Sequence, residues 1–159
     1  MIIKGIIMED FINYKKPSMV IEFPYCSFKC DKEYGQPICH NGALAKSPEY
    51  NIPVHKIIGC YLKNDITQAI VCQGLEPFDS YTELMIFIEL LRSKIDDDIV
   101  IYTGYTEEEI DLYIDRLVTR GYKNIIVKFG RFIPNQPSHF DPVLGVRLAS
   151  PNQYAKKIG

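Results

Sequence analysis

The chain has 159 residues, of which 47% are hydrophobic and 24% are charged, close to the composition of an average globular domain. This composition excludes intrinsically disordered, collagen-like and coiled-coil classes, and the length predicts a single domain over residues 1–159. The 18 Lys and Arg against 20 Asp and Glu give a formal charge of −2, and no basic block is present to bind nucleic acid.

No apolar run approaches the roughly 20 residues that a membrane-spanning helix requires, so we expect no membrane span. The first ten residues lack the basic region and long apolar core of a secretory signal, which predicts a cytoplasmic protein. Five cysteines are too few for a disulfide-built scaffold, and their odd number favours reduced thiols, metal ligation or catalysis.

Apolar periodicity predicts strands that alternate with helices along the chain. The first core strand is Ser18–Phe23, which is β-rich and ends at a proline. The elements predicted after it are a helix over 53–62, a strand over 69–72, a helix over 81–94, a strand over 99–102, a helix from about 106 to 121 and a strand over 124–128. We predict flanking strands over 2–8 and 145–148, and an irregular loop over 134–142. The alternation predicts an α/β fold with a mostly parallel sheet.

In parallel sheets, ligands bind at the carboxyl ends of the strands. The segments predicted at that edge are a cysteine-containing loop after the first core strand, residues 73–77, residues 103–105 and residues 129–131. We therefore expect the functional residues among these four loops.

The cysteine loop carries Cys26, Cys30 and Cys39 within fourteen residues. Three thiolates on one loop can hold three corners of an iron–sulfur cube, since a flexible loop can wrap the cluster and sulfur is a soft ligand. The fourth iron would then be open to a small molecule, as in catalytic metal sites. This pattern favours chemistry over a purely structural role.

Two alternatives to an iron–sulfur cluster remain open. The three thiols could simply be reduced, or they could form a Cys3His zinc site together with His40. We expect Cys60 and Cys72 to be buried apolar residues rather than ligands, because free cysteine is often fully buried.

A second motif follows the strand predicted over 69–72. Gly74 and Glu76, with a leucine between them and a proline after them, place backbone groups and a carboxylate at the sheet edge. Such groups can bind an ammonium group. The alternative is an ordinary turn.

These motifs, in this order, resemble those of radical S-adenosylmethionine enzymes, and within them the anaerobic ribonucleoside-triphosphate reductase activating proteins. The resemblance covers most of the chain. The similar segments are Cys39-His40-Asn41, Gly74-Leu75-Glu76-Pro77, Thr103-Gly104-Tyr105 and Ala149-Ser150-Pro151-Asn152-Gln153. The chain departs from the family in its Cys-x3-Cys-x8-Cys spacing, where the family has Cys-x3-Cys-x2-Cys, in Leu75 for a second glycine, and in Phe129 for an aspartate.

The resemblance implies an incomplete βα barrel of radical S-adenosylmethionine type. It also implies that Cys26, Cys30 and Cys39 bind a [4Fe–4S] cluster, whose open iron takes the amino and carboxylate groups of S-adenosylmethionine. The reduced cluster would cleave this cofactor to methionine and a 5′-deoxyadenosyl radical.

Roles for further residues follow from the same resemblance. Ile38 would lie against the adenine, and Gly74 and Glu76 would serve the amino group. Thr103 would serve the ribose or the carboxylate. By charge alone, Lys128 and Arg131 are candidates for the carboxylate, with solvated surface cations as the alternative for each.

The implied reaction installs a glycyl radical on the large subunit of anaerobic ribonucleotide reductase, with flavodoxin or ferredoxin as electron donor. The long segment between the second and third cysteines would lie near the path by which that substrate enters. Two other functions stay open. One is a small radical S-adenosylmethionine enzyme that acts on a small molecule or peptide, and the other is a non-catalytic zinc or iron–sulfur binding module.

Overall fold

The computed structural model describes all residues, 1–159, as an α/β protein with one main sheet. The strands are β1 (Ile2–Ile3), β2 (Gly5–Asp10), β3 (Ser18–Phe23), β4 (Tyr50–Asn51), β5 (Ala69–Gly74), β6 (Asp98–Tyr102), β7 (Ile125–Phe129), β8 (His139–Asp141), β9 (Val146–Leu148) and β10 (Tyr154–Lys157). The α-helices are α1 (Lys29–Tyr34), α2 (Gly42–Ala45), α3 (Val54–Leu62), α4 (Tyr81–Arg92) and α5 (Asp111–Thr119). Short 3-10 helices, Pro77–Ser80 and Glu108–Ile110, precede α4 and α5.

The main sheet has six strands in the order β10-β7-β6-β5-β3-β2. The four inner strands, β3, β5, β6 and β7, are parallel, and both edge strands run antiparallel to their neighbours. Because α3, α4 and α5 lie between successive parallel strands in the chain, the inner part of the sheet is made of βα crossovers. All four parallel strands therefore end at the same edge.

The inner strands are buried on both faces, which explains their nearly continuous apolar sequences. On one face, alternate strand residues pack with α3, α4 and α5 in a core cluster of 23 buried residues. On the other face, a row formed by Val20, Val71, Val100 and Ile126 packs with Tyr14 and with two leucines near the C-terminus. We call this second surface the inner face of the sheet.

The segment after β2 and the segment around β9 cover the inner face. Tyr14 donates its hydroxyl to Asp98 at 3.0 Å, and Leu144 and Leu148 are buried against the row of strand residues. The backbone N–H of Lys15 donates to the carbonyl of Leu144 at 2.8 Å, so the two covering segments are bonded to each other.

The prediction of an incomplete βα barrel with a mostly parallel sheet is wrong. The sheet is open and mixed, because β2 and β10 are antiparallel edge strands that do not pair with each other. The predicted α/β alternation is present in the central region, but the direction of the edge strands depends on long-range pairings that this alternation does not specify. The inner face is covered by residues of the chain itself.

Several local predictions also need correction. The predicted flanking strand near residue 146 is not in the main sheet, because β9 pairs only with β8, which lies inside the predicted irregular loop. The edge strand β10 has no counterpart among the predicted elements. Cys72 is buried as predicted, but Cys60 is exposed on α3.

Candidate functional site

A cavity of about 480 Å³ lies at the carboxyl edge of the parallel strands. The segments that follow β3, β5, β6 and β7 all contribute to its wall, since parallel strands end on one side of a sheet. Five of the seven predicted site residues line the cavity, namely Cys26, Cys30, Cys39, Gly74 and Thr103. The other two, Ile38 and Glu76, do not line it.

The three loop cysteines are partly buried in the cavity wall. Cys26 comes just after β3, Cys30 lies in α1, and Cys39 follows the segment that returns from α1. The Cys26 Sγ accepts the backbone N–H of Phe28 at 3.2 Å, and the Cys39 Sγ accepts the backbone N–H of Asn41 at 3.4 Å. Two of the three sulfurs therefore already have N–H donors directed at them.

Burial governs the protonation of two of these thiols. It raises the pKa of Cys26 to about 12, and it raises the pKa of Cys30 to about 11, with smaller contributions from the nearby Cys39 and Asp31. Without a cation both thiols are protonated at neutral pH. Any metal centre bound here must displace these protons.

The cysteines do not form a preassembled site for a single metal ion. No group of three or more His, Cys, Asp or Glu side chains in the chain is arranged to hold one ion. His40, the fourth member of the alternative zinc site, instead packs its ring against Phe132 at a centroid distance of 4.2 Å. A cluster with several irons places its thiolate ligands around a larger body, so its ligands need not converge on one point.

Gly74 ends β5 with a positive φ of 99°. A Cβ at this position would lie 2.9 Å from the Cα of Glu22 in the neighbouring strand, so both the backbone conformation and the close approach of β3 require glycine. The Gly74 carbonyl accepts a hydrogen bond from the side-chain amide of Asn41. This bond connects the cysteine loop to the glycine turn.

Glu76 faces the interior and is only 4% exposed. Its carboxylate accepts the backbone N–H of Gly104 at 2.8 Å and that of Phe78 at 3.2 Å. Burial raises the pKa of Glu76 to about 7 against the opposing effect of these hydrogen bonds. Glu76 thereby joins the loop after β5 to the loop after β6, and its contact with an ammonium group stays a prediction.

The two candidate cations near β7 have different surroundings. Arg131 is bonded to Glu109 at 2.6 Å and lies 3.4 Å from a Glu33 oxygen, so its charge is balanced within the protein. Lys128 lines the cavity, is 7% exposed and donates to the Gly130 carbonyl at 2.8 Å. It forms no salt bridge, and burial lowers its pKa to about 8. Lys128 is therefore a buried cation that faces the cavity, not a surface cation.

Sequence reasoning did not identify Asp79 as a site residue. Its carboxylate accepts the backbone N–H of Ser27 at 2.7 Å and the hydroxyl of Tyr105 at 2.6 Å. Asp79 thereby fixes the residue next to Cys26 against the loop after β6. The only sequence signal for Asp79 is its position two residues after Pro77, in the segment that follows β5. That signal is weak.

No protein-family model, curated protein or solved structure matches the chain. None of its helices has both the length and the apolar character required to span a membrane.

Proposed function

We propose that this chain is an iron–sulfur enzyme that reductively cleaves S-adenosylmethionine and installs a glycyl radical on the large subunit of anaerobic ribonucleotide reductase. The observation that carries the proposal is the position of Cys26, Cys30 and Cys39. All three thiols lie on the wall of one cavity at the carboxyl edge of the parallel strands. The motifs that resemble the activating proteins give the reaction its identity.

The donor set fits a [4Fe–4S] cluster. The three residues supply soft sulfur ligands, and backbone N–H groups already point at the sulfurs of Cys26 and Cys39. Such hydrogen bonds to sulfur tune the potential of a bound cluster. When bound, the cluster supplies the electron that breaks a carbon–sulfur bond of S-adenosylmethionine.

The rest of the cavity suits a zwitterionic cofactor. Gly74 and Thr103 line its wall close to the cysteine loop, and Lys128 supplies a cation that has no carboxylate partner. We assign the amino acid end of S-adenosylmethionine to this region, with Lys128 bound to its carboxylate. Glu76 acts indirectly, because it holds the loop of Thr103 in place by accepting the backbone N–H of Gly104.

The reaction requires partners that lie outside this chain. An electron donor such as flavodoxin or ferredoxin must reduce the cluster, and the large reductase subunit must present its glycine. The surrounding protein wall would keep water and stray hydrogen donors away from the reacting carbon.

The test is anaerobic reconstitution with iron and sulfide, followed by three measurements. We expect about four irons and four sulfides per chain. With a reductant, the protein should form 5′-deoxyadenosine and methionine from S-adenosylmethionine. With the large subunit from the same genome, electron paramagnetic resonance should detect a glycyl radical doublet. One zinc per chain and no cofactor cleavage would contradict the proposal and support a binding module.

The covered inner face favours a second candidate, a small radical S-adenosylmethionine enzyme that acts on a small molecule or peptide. Tyr14, Leu144 and Leu148 cover the apolar row on the inner face, so this face offers no open surface to a large substrate. The same experiment separates the two candidates. Cofactor cleavage without a glycyl radical on the large subunit would favour the second.

A further inference from the structure

The segment between the second and third cysteines has a defined path. It continues α1 to Tyr34, and Gly35 then ends the helix with a φ of 78° while its N–H donates to the Asp31 carbonyl at 2.9 Å. Residues 32–37 are all exposed. They form a surface excursion that contributes no side chain to the core.

The two ends of this excursion meet at one carboxylate. Asp31 Oδ1 accepts the backbone N–H of Ile38 and the backbone N–H of Cys39, each at 2.9 Å. The residue after the second cysteine is therefore bonded directly to the third cysteine and to the residue before it. The chain between these ends leaves the site and returns to the same place.

We propose that Asp31 is a positioning residue that closes residues 32–37 into a separate excursion and thereby places Cys39 beside Cys30. Although eight residues separate Cys30 from Cys39 in the sequence, the two cysteines are then held together as they would be with only two residues between them. Removal of residues 32–37 would leave Cys30-Asp31-Ile38-Cys39, which has that short spacing in sequence as well. Only the identity of the group held by the thiols rests on the proposed function.

Closure by Asp31 matters because an eight-residue segment with free ends samples many conformations. Two charge-assisted hydrogen bonds to one oxygen select those in which the two thiols are neighbours. Loss of both bonds should lower the effective concentration of Cys39 at Cys30 by about tenfold or more.

The first test uses reduced, metal-free protein and needs no iron. Diamide takes two electrons and two protons from the Cys30 and Cys39 thiols, which form a disulfide while diamide becomes the hydrazine. The rate of this disulfide is followed by mass spectrometry of peptides. Asp31→Ala should lower the rate by about tenfold, whereas Asp31→Asn should stay within about threefold of the original protein, because its amide oxygen can accept both N–H groups.

The comparison of Asp31→Ala with Asp31→Asn separates the effect of the two hydrogen bonds from the effect of the carboxylate charge. Burial is the main cause of the raised pKa of Cys30, and the Asp31 charge adds to it; both substitutions remove that charge, so a charge effect would change both rates alike. Lys32→Ala, at the next exposed position of α1, is the control for a general disturbance of the helix and should leave the rate unchanged. Equal rates for Asp31→Ala and Asp31→Asn would overturn the proposal.

The second test deletes residues 32–37. The shortened chain should bind as much iron as the full chain and give the same cluster spectrum by electron paramagnetic resonance. In the shortened chain, Asp31→Ala should no longer slow disulfide formation, since no excursion is left to close. If Asp31→Ala still slowed disulfide formation in the shortened chain, Asp31 would have another role and the proposal would be overturned. Failure of both chains to bind iron, with the disulfide results as expected, would contradict the proposed function alone.

Discussion

Ionisation of Glu76 should control the stability of the protein between about pH 4.5 and pH 7. The carboxyl is 4% exposed, and burial raises its pKa from 4.5 to about 7. The folded protein therefore holds this proton in a range in which the unfolded chain has released it. Since the folded state binds more protons, its stability falls as the pH rises through this range.

The size of the effect follows from the change in pKa. A difference of one pKa unit corresponds to about 1.4 kcal/mol, so Glu76 should contribute about 3 kcal/mol of stability below pH 4.5 that is lost above pH 7. Lys128, whose pKa burial lowers from 10.5 to about 8, acts in a separate range. Its effect has the opposite sign, because stability rises with pH where the folded protein releases its proton first.

Urea unfolding of reduced, metal-free protein at several pH values between about pH 5 and pH 7 measures this dependence. Glu76→Gln should remove the slope, since glutamine does not titrate, whatever its effect on stability at a single pH. Glu9→Gln, at an exposed position of β2, is the matched control and should retain the slope. An unchanged slope in Glu76→Gln would refute the assignment of a raised pKa to this carboxyl.

Three further predictions concern the walls of the cavity. Gly74→Ala should destabilise the protein by about 2–4 kcal/mol in urea unfolding, because its Cβ would meet the backbone of β3 at a positive φ. Gly59→Ala, in α3 with open space around it, should instead stabilise by about 0.5–1 kcal/mol. Alanine at any one of the three loop cysteines should abolish the cluster in iron and sulfide analysis, whereas Cys60→Ala should keep it. Lys128→Met should weaken S-adenosylmethionine binding by about tenfold to a hundredfold with iron content unchanged, and the exposed Lys94→Met should bind normally.

Local apolar patterns were sufficient to predict the centre of the fold. The strands β3, β5, β6 and β7 are short apolar runs that end at proline or glycine, or shortly before it, and each was predicted to within two residues at either end. The helices between them follow from apolar spacing. The incomplete barrel with a mostly parallel sheet was wrongly predicted because both edge strands, β2 and β10, pair antiparallel with their neighbours, and no local pattern encodes the direction of those pairings.

The location of the site was also predictable from local patterns. Cys26, Cys30 and Cys39 line one cavity because they follow a parallel strand, a position that sequence periodicity indicates. The direction in which individual side chains point was harder to predict from the sequence. Glu76 turns inward and Lys128 is buried, and both outcomes depend on which face of a strand or turn packs against a distant segment. The covering segments near Tyr14 and Leu144 decide this for the inner face.

The covered inner face also has a consequence for biosynthesis. The six strands of the main sheet follow their order in the chain, so the nascent protein can add each one to its predecessor as it leaves the ribosome. All four parallel strands are complete at Phe129, but Leu144 and Leu148 are made later. Until then the row from Val20 to Ile126 lacks part of its cover, and the unfinished polypeptide presents an apolar strip that a chaperone or another nascent chain can bind.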